Sequence, residues 1–216
     1  GYRFSCGQPD RIPMQGIWTK EEFIERFHMY YTGGFICSPW NKLFIKDLIK
    51  NGFPEDMNLG EDAVFNMNYI MSVQKICTVN CAPYFYEVGN VNSLSWKYNE
   101  KALYCEKKKD SRIEKCLLEA NALKELNKMQ KEFCKDFQRC IDNEILSGKY
   151  SKQELQNRIY NNLSDSFWQH VLQDSGYLKG IVGDDIKKGI SRYVRKMMFY
   201  RCYMFIRSEV RKIVKG

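Results

Sequence analysis

The sequence is poor in the ligands and links that anchor metal-bound or disulfide-stapled domains. It has only two histidines, His28 and His170, and its nine cysteines never form a C-x-x-C pair. Their number is odd and their spacing irregular, so neither a structural zinc site nor a disulfide framework is expected. Cys116, Cys134 and Cys140 fall among apolar residues of a helical pattern, where cysteine packs as a small hydrophobe. A reducing cytoplasm is the natural setting for such thiols. No run of eighteen apolar residues occurs, so no transmembrane helix is expected. The first residues lack the pattern of a secretory signal. No internal repeat and no low-complexity linker interrupts the chain.

What is present describes an ordinary globular protein of 216 residues, 44% hydrophobic and 28% charged. That length can bury a core without metals or disulfides. The net charge of +8 is unevenly placed. From Ile186 to Gly216 there are ten Lys or Arg and one acid, Glu209, so the rest of the chain sums to about zero. The basic character belongs to the C-terminal segment.

Residues 2–7 and 76–87 read as strands, rich in β-branched and aromatic side chains. Thr19 to Tyr31 reads as a helix, with Thr19 and Glu22 in a capping box and Gly33-Gly34 ending it. Lys42 to Asn51 reads as a second helix, closed by Gly52, and Glu61 to Val73 as a third. Beyond about residue 97 the pattern is helical throughout. Ser111 to Ser147 keeps one helical period. Ser151 with Glu154 starts a further helix, Asp165 to Leu172 another, and Asp184-Asp185 open a long last one reaching about Val214. The fold class expected is α+β and predominantly helical. A mixed part spans residues 1–96, and an all-helical part spans 97–216.

The informative stretch is 38–65. It holds Ser38-Pro39-Trp40-Asn41-Lys42-Leu43-Phe44, then Phe53-Pro54-Glu55, then Gly60-Glu61-Asp62-Ala63-Val64-Phe65. Paired acids after a loop of turn formers cap a helix, because its first N–H groups are unsatisfied. The same placement suits a carboxylate acting as general base beside a hydroxyl. Trp40 has two readings, a buried anchor or a platform for a sugar ring. Asn41 and Lys42 read either as turn and surface residues or as donors to hydroxyl and phosphate oxygens.

Taken together these residues resemble glycosyltransferase family two, the inverting enzymes of GT-A fold that include bacterial capsular and cell-wall polysaccharide transferases. Many members carry Trp-Asn-Lys-Leu-Tyr, then Phe-Pro-Glu, then a Glu-Asp pair with Phe three residues on. Tyr84-Phe85-Tyr86 and Asn92-Ser93-Leu94-Ser95 fit the strand and polar turn that follow in the family. The resemblance covers residues 1–96 and implies a partial GT-A fold, the acceptor half, followed by a helical extension. It implies that Asp62 deprotonates the acceptor hydroxyl, with Glu61 in support. Trp40, Asn41, Lys42 and Gly60 would then contribute to binding. The substrates implied are a nucleotide-sugar donor and a glycan or lipid-linked acceptor.

The family also uses a divalent metal, magnesium or manganese, held by an Asp-x-Asp motif in a nucleotide-binding half that would precede residue 1. No Asp-x-Asp occurs in this chain, and Glu87 stands where many members carry Arg. The chain alone is therefore expected to be inactive, and to self-associate, for example as a homodimer, through surface the missing half would cover. The basic final helix, 186–214, reads either as docked with a solvated basic face or as lying on an anionic membrane surface. The second choice makes the protein peripheral to the inner face of the membrane. No motif supports nucleic-acid binding. The alternative to an enzyme is a non-catalytic helical module that binds a partner or a membrane surface.

Overall fold

The computed structural model describes residues 2–4, 14–81, 84–86, 98–173 and 186–215. The chain divides into two compact units, Gly1–Gln130 and Lys131–Gly216. The change of composition near residue 97 thus falls inside the first unit. Among the described residues the protein is predominantly helical, with eight α-helices and two small two-stranded sheets.

In the first unit, strand β1 (Tyr2–Phe4) pairs in parallel with β4 (Tyr84–Tyr86), Tyr2 opposite Tyr84. Strand β2 (Gly16–Thr19) pairs antiparallel with β3 (Lys75–Thr78), Gly16 opposite Thr78. The strands are shorter than their composition suggests, and β2 was not expected. It is held by side chains distant in sequence. Trp18 Nε1 donates to Thr78 Oγ1 at 2.9 Å, and Thr78 Oγ1 donates to the Met14 carbonyl at 2.8 Å.

The first helical stretch forms as two pieces, α1 (Lys20–Ile24) and α2 (Phe27–Thr32). Both halves of the Thr19–Glu22 capping box are present, at 3.2 and 2.8 Å. Phe23, Phe27 and Tyr30, at helical spacing, are buried.

The segment expected to be helical from Lys42 to Asn51 holds only one 3₁₀ turn, Lys46–Leu48. Its apolar residues do not share one buried face, since Leu43, Ile45 and Ile49 are exposed while Phe44 packs on α3. Its backbone groups are satisfied instead from helix α3 (Glu61–Ser72). Tyr69 Oη accepts from the Ile45 N–H at 2.8 Å, and Ser72 Oγ donates to the Leu48 carbonyl at 2.9 Å.

The single helical period from Ser111 to Ser147 forms as two helices, α4 (Ala102–Glu119) and α5 (Leu123–Ser147). The break is a Schellman motif. Asn121 sits at φ 54°, its N–H reaches the Leu118 carbonyl, and the Ala122 N–H reaches that of Leu117. Helix α4 packs on α3. It carries a buried charged trio, with Lys109 paired to both Glu106 and Asp110.

The second unit contains the rest of α5 with α6 (Lys152–Leu163), α7 (Ser166–Leu172) and α8 (Ile186–Lys215). The Ser151–Glu154 capping box is complete, and Asp165 caps α7 through the Phe167 N–H at 3.0 Å. Phe137 and Trp168 pack with ring centroids 4.9 Å apart. Arg158 pairs with the buried Glu144. Ile190 and Val194 of α8 are buried where it packs on α6, and Tyr193 Oη bonds the Asp142 carboxylate. Asp184 and Asp185 lie outside the described residues, as do Glu87 and 92–95. Among the described residues no helix is long and apolar enough to cross a membrane.

Candidate functional site

Helix α3 begins at Gly60, whose φ of 75° is a left-handed conformation that favours glycine. A Cβ there would meet Lys109 Cδ at 3.2 Å, so the residue is also a point of close approach to α4. The loop before it is tied to α4. Asp56 accepts from Tyr104 Oη at 2.6 Å and from Lys108, and Asn99 Nδ2 donates to Asn58 Oδ1 at 2.9 Å. These bonds hold the Asp56 carboxyl below its usual range, Lys108 first and Tyr104 second. Met57 packs with Val64 and Cys105 beneath. Glu61 and Asp62 then stand in the first turn, both half-buried, where the helix dipole favours negative charge.

The three motif segments meet on α3. Phe65 stacks on Phe53 at 4.2 Å and meets Phe44 edge-on at 5.3 Å, while Phe44 meets Tyr69 at 4.9 Å. Aromatic contacts of this kind add about 1 kcal/mol each beyond area burial. The aromatics at the ends of the motif are thus packing residues, and they set what lies between them.

Trp40 and Asn41 occupy the centre of a turn closed by the Lys42 N–H to the Pro39 carbonyl at 3.1 Å, and Trp40 is half-buried. Lys42 Nζ turns back under the preceding turn. It donates to the carbonyls of Phe35 and Ser38 and, at 2.7 Å, to Asn41 Oδ1. An ammonium has three N–H bonds, and these three oxygens take them. Burial lowers the Lys42 ammonium from 10.5 to about 8, while the charges of Cys37 and Asp62 pull it back up. The Asp62 carboxyl is pushed up by its own burial and by Glu61, and Lys42 opposes that shift. Lys42 and Asp62, twenty residues apart in sequence, therefore act on each other by charge.

Sequence reasoning missed Asn66, one turn after Asp62. It is 1% exposed, and its Nδ2 donates to the Ile36 carbonyl at 2.7 Å. Two side chains from different elements thus grip one turn, Lys42 at Phe35 and Ser38, Asn66 at Ile36. Asn66 Oδ1 and Asn41 Nδ2 are buried with no hydrogen-bond partner among the described residues, an open acceptor and an open donor. A polar residue inside an otherwise unbroken apolar run, between Ala63-Val64-Phe65 and Met67, was the available signal.

A divalent cation does not fit at Glu61 and Asp62. The adjacent Lys42 ammonium already supplies positive charge to Asp62, and the sequence has no Asp-x-Asp to complete a ligand set. No known protein family, no curated protein and no solved structure matches this chain.

Proposed function

We propose that this chain is the acceptor half of an inverting glycosyltransferase of GT-A type, with Asp62 as its general base. The observation that carries this reading is the environment of Asp62. Its carboxyl is raised by burial toward the range where a base works well, at a helix mouth that resists losing the charge altogether. Asp62 takes the proton of an acceptor hydroxyl. That oxygen attacks the anomeric carbon of a nucleotide-activated sugar, the bond to the leaving diphosphate breaks, and configuration inverts. Lys42, with its N–H bonds taken by its own chain, acts through its charge on Asp62 rather than as a donor to substrate. Trp40 supplies the aromatic surface for a sugar ring, and Gly60 lets α3 start where it does.

The test is transfer from a nucleotide sugar by the protein with its nucleotide-binding half present. Asp62→Asn should lower the rate by about 10²–10⁴-fold with the far-ultraviolet spectrum unchanged. Undiminished transfer would eliminate Asp62 as the base. A second reading, a helical interaction module, draws on the exposed aromatic residues of α8, Phe199, Tyr200 and Tyr203.

A further inference from the structure

Helix α8 is basic and apolar along its whole length, yet its two halves are built differently. At about 100° of turn per residue, Ile190, Val194 and Met197 fall on one side. Ile190 and Val194 are buried, and α8 packs on α6. The opposite side of this half carries Lys188, Arg192, Arg195 and Lys196, all exposed. Near Met198 the apolar side switches. Phe199 and Tyr203 stand on the line of the exposed cations and are 71% and 57% exposed. With Lys188, Arg192, Arg195 and Lys196 they fall within an arc of about 100°.

The side of α8 opposite Ile190 and Val194 therefore reads as a basic patch running into two exposed aromatic rings. Most of a helix's stability in a protein comes from packing its apolar side chains rather than from propensity. Charge decides between candidate covers. From Ile186 onward there are ten cations and one acid, so a second α8 packed against this one offers no complementary charge. An anionic bilayer does, and its interface accepts aromatic rings beside apolar side chains.

We propose that this outward face of α8 binds an anionic lipid surface. Lys188, Arg192, Arg195 and Lys196 lie against the headgroups, and the rings of Phe199 and Tyr203 enter the boundary with the acyl chains. This assignment narrows the contact to one face, leaves the buried half on α6, and does not depend on the glycosyltransferase reading.

Flotation of the 216-residue chain with phosphatidylcholine vesicles, plain or with roughly one quarter phosphatidylglycerol, tests it. The chain should float with the anionic vesicles and not with the neutral ones, less so as salt rises. Arg192→Ala/Arg195→Ala/Lys196→Ala should weaken partitioning by about a hundred-fold, at roughly five-fold per cation. Phe199→Asp/Tyr203→Asp should abolish flotation. A second measurement guards against misfolding of that variant. Tyr203→Trp in the otherwise unchanged chain should show added fluorescence that shifts blue and is quenched by brominated lipid. Absence of binding, equal binding to neutral vesicles, or an indole at 203 untouched by brominated lipid overturns the proposal. So does a dimer that the two aspartates dissociate while vesicles stay unbound. Flotation that the two aspartates leave intact, or that is lost only to competing duplex nucleic acid, also overturns it.

Discussion

A buried lysine next to a half-buried aspartate makes this region sensitive to pH in a direction that can be worked out. The folded protein releases the Lys42 proton at about 8, whereas the unfolded chain holds it to the ordinary value of 10.5. Between those values the unfolded chain binds more protons, so raising the pH favours the folded form. The stability of the wild type relative to Lys42→Met should therefore climb as pH goes from 8 to 10.5, measured by urea unfolding at each pH. A flat difference across that window would show that Lys42 titrates normally. The same variant carries a kinetic expectation. Burial and Glu61 raise Asp62 while Lys42 lowers it, so removing the ammonium should move the acid limb of transfer to higher pH. Little of this was visible in the primary structure. Glu61-Asp62 at a helix start was legible, because turn formers and acids are local signals. The meeting of Lys42 with Asp62 was not, because it depends on how a turn at 35–38 and a helix at 61–72 fold together. Asn66 was only faintly marked, by the apolar residues that flank it in sequence, and its partner at Ile36 was not legible locally.

At the scale of elements, what reads from sequence is what neighbours decide among themselves. Thr19 with Glu22 and Ser151 with Glu154 cap their helices because each box spans only four residues. The misreadings have non-local or masked causes. Leu43, Ile45, Leu48 and Ile49 imitate a helical face, but the segment bonds to itself only through one 3₁₀ turn, and Tyr69 and Ser72 bond the backbone at Ile45 and Leu48. The run from Ser111 to Ser147 keeps its apolar spacing through Ala120 and Leu123, and that hid the break between them. Only Asn121 gave a hint, as a residue tolerant of left-handed backbone. Its conformation makes a sharp prediction. Asn121→Gly should leave stability within a few tenths of a kcal/mol, whereas Asn121→Val should cost about 1–2 kcal/mol. Equal unfolding midpoints for those two variants would mean that the Schellman turn does not constrain residue 121.

Over the whole molecule, the cysteines are distributed so as to report on opening in each compact unit. Among the described residues none forms a disulfide. Cys37, Cys77, Cys81 and Cys202 are exposed, while Cys105 and Cys116 in the first unit and Cys140 in the second are buried. Burial pushes the Cys116 thiol up to about 11, so it has little thiolate to react at neutral pH. A thiol reagent at pH 8 should thus modify the four exposed residues quickly and the three buried ones only through unfolding. Helix α5 runs from Leu123 to Ser147 without a break, across the division at Gln130. Helix formation is cooperative along a continuous stretch, and melting one part of α5 removes support from the rest. Cys116 and Cys140 should therefore become reactive at the same denaturant midpoint, read site by site by mass spectrometry after a short labelling pulse. Separate midpoints would show instead that α5 yields within its own length and that each unit opens alone.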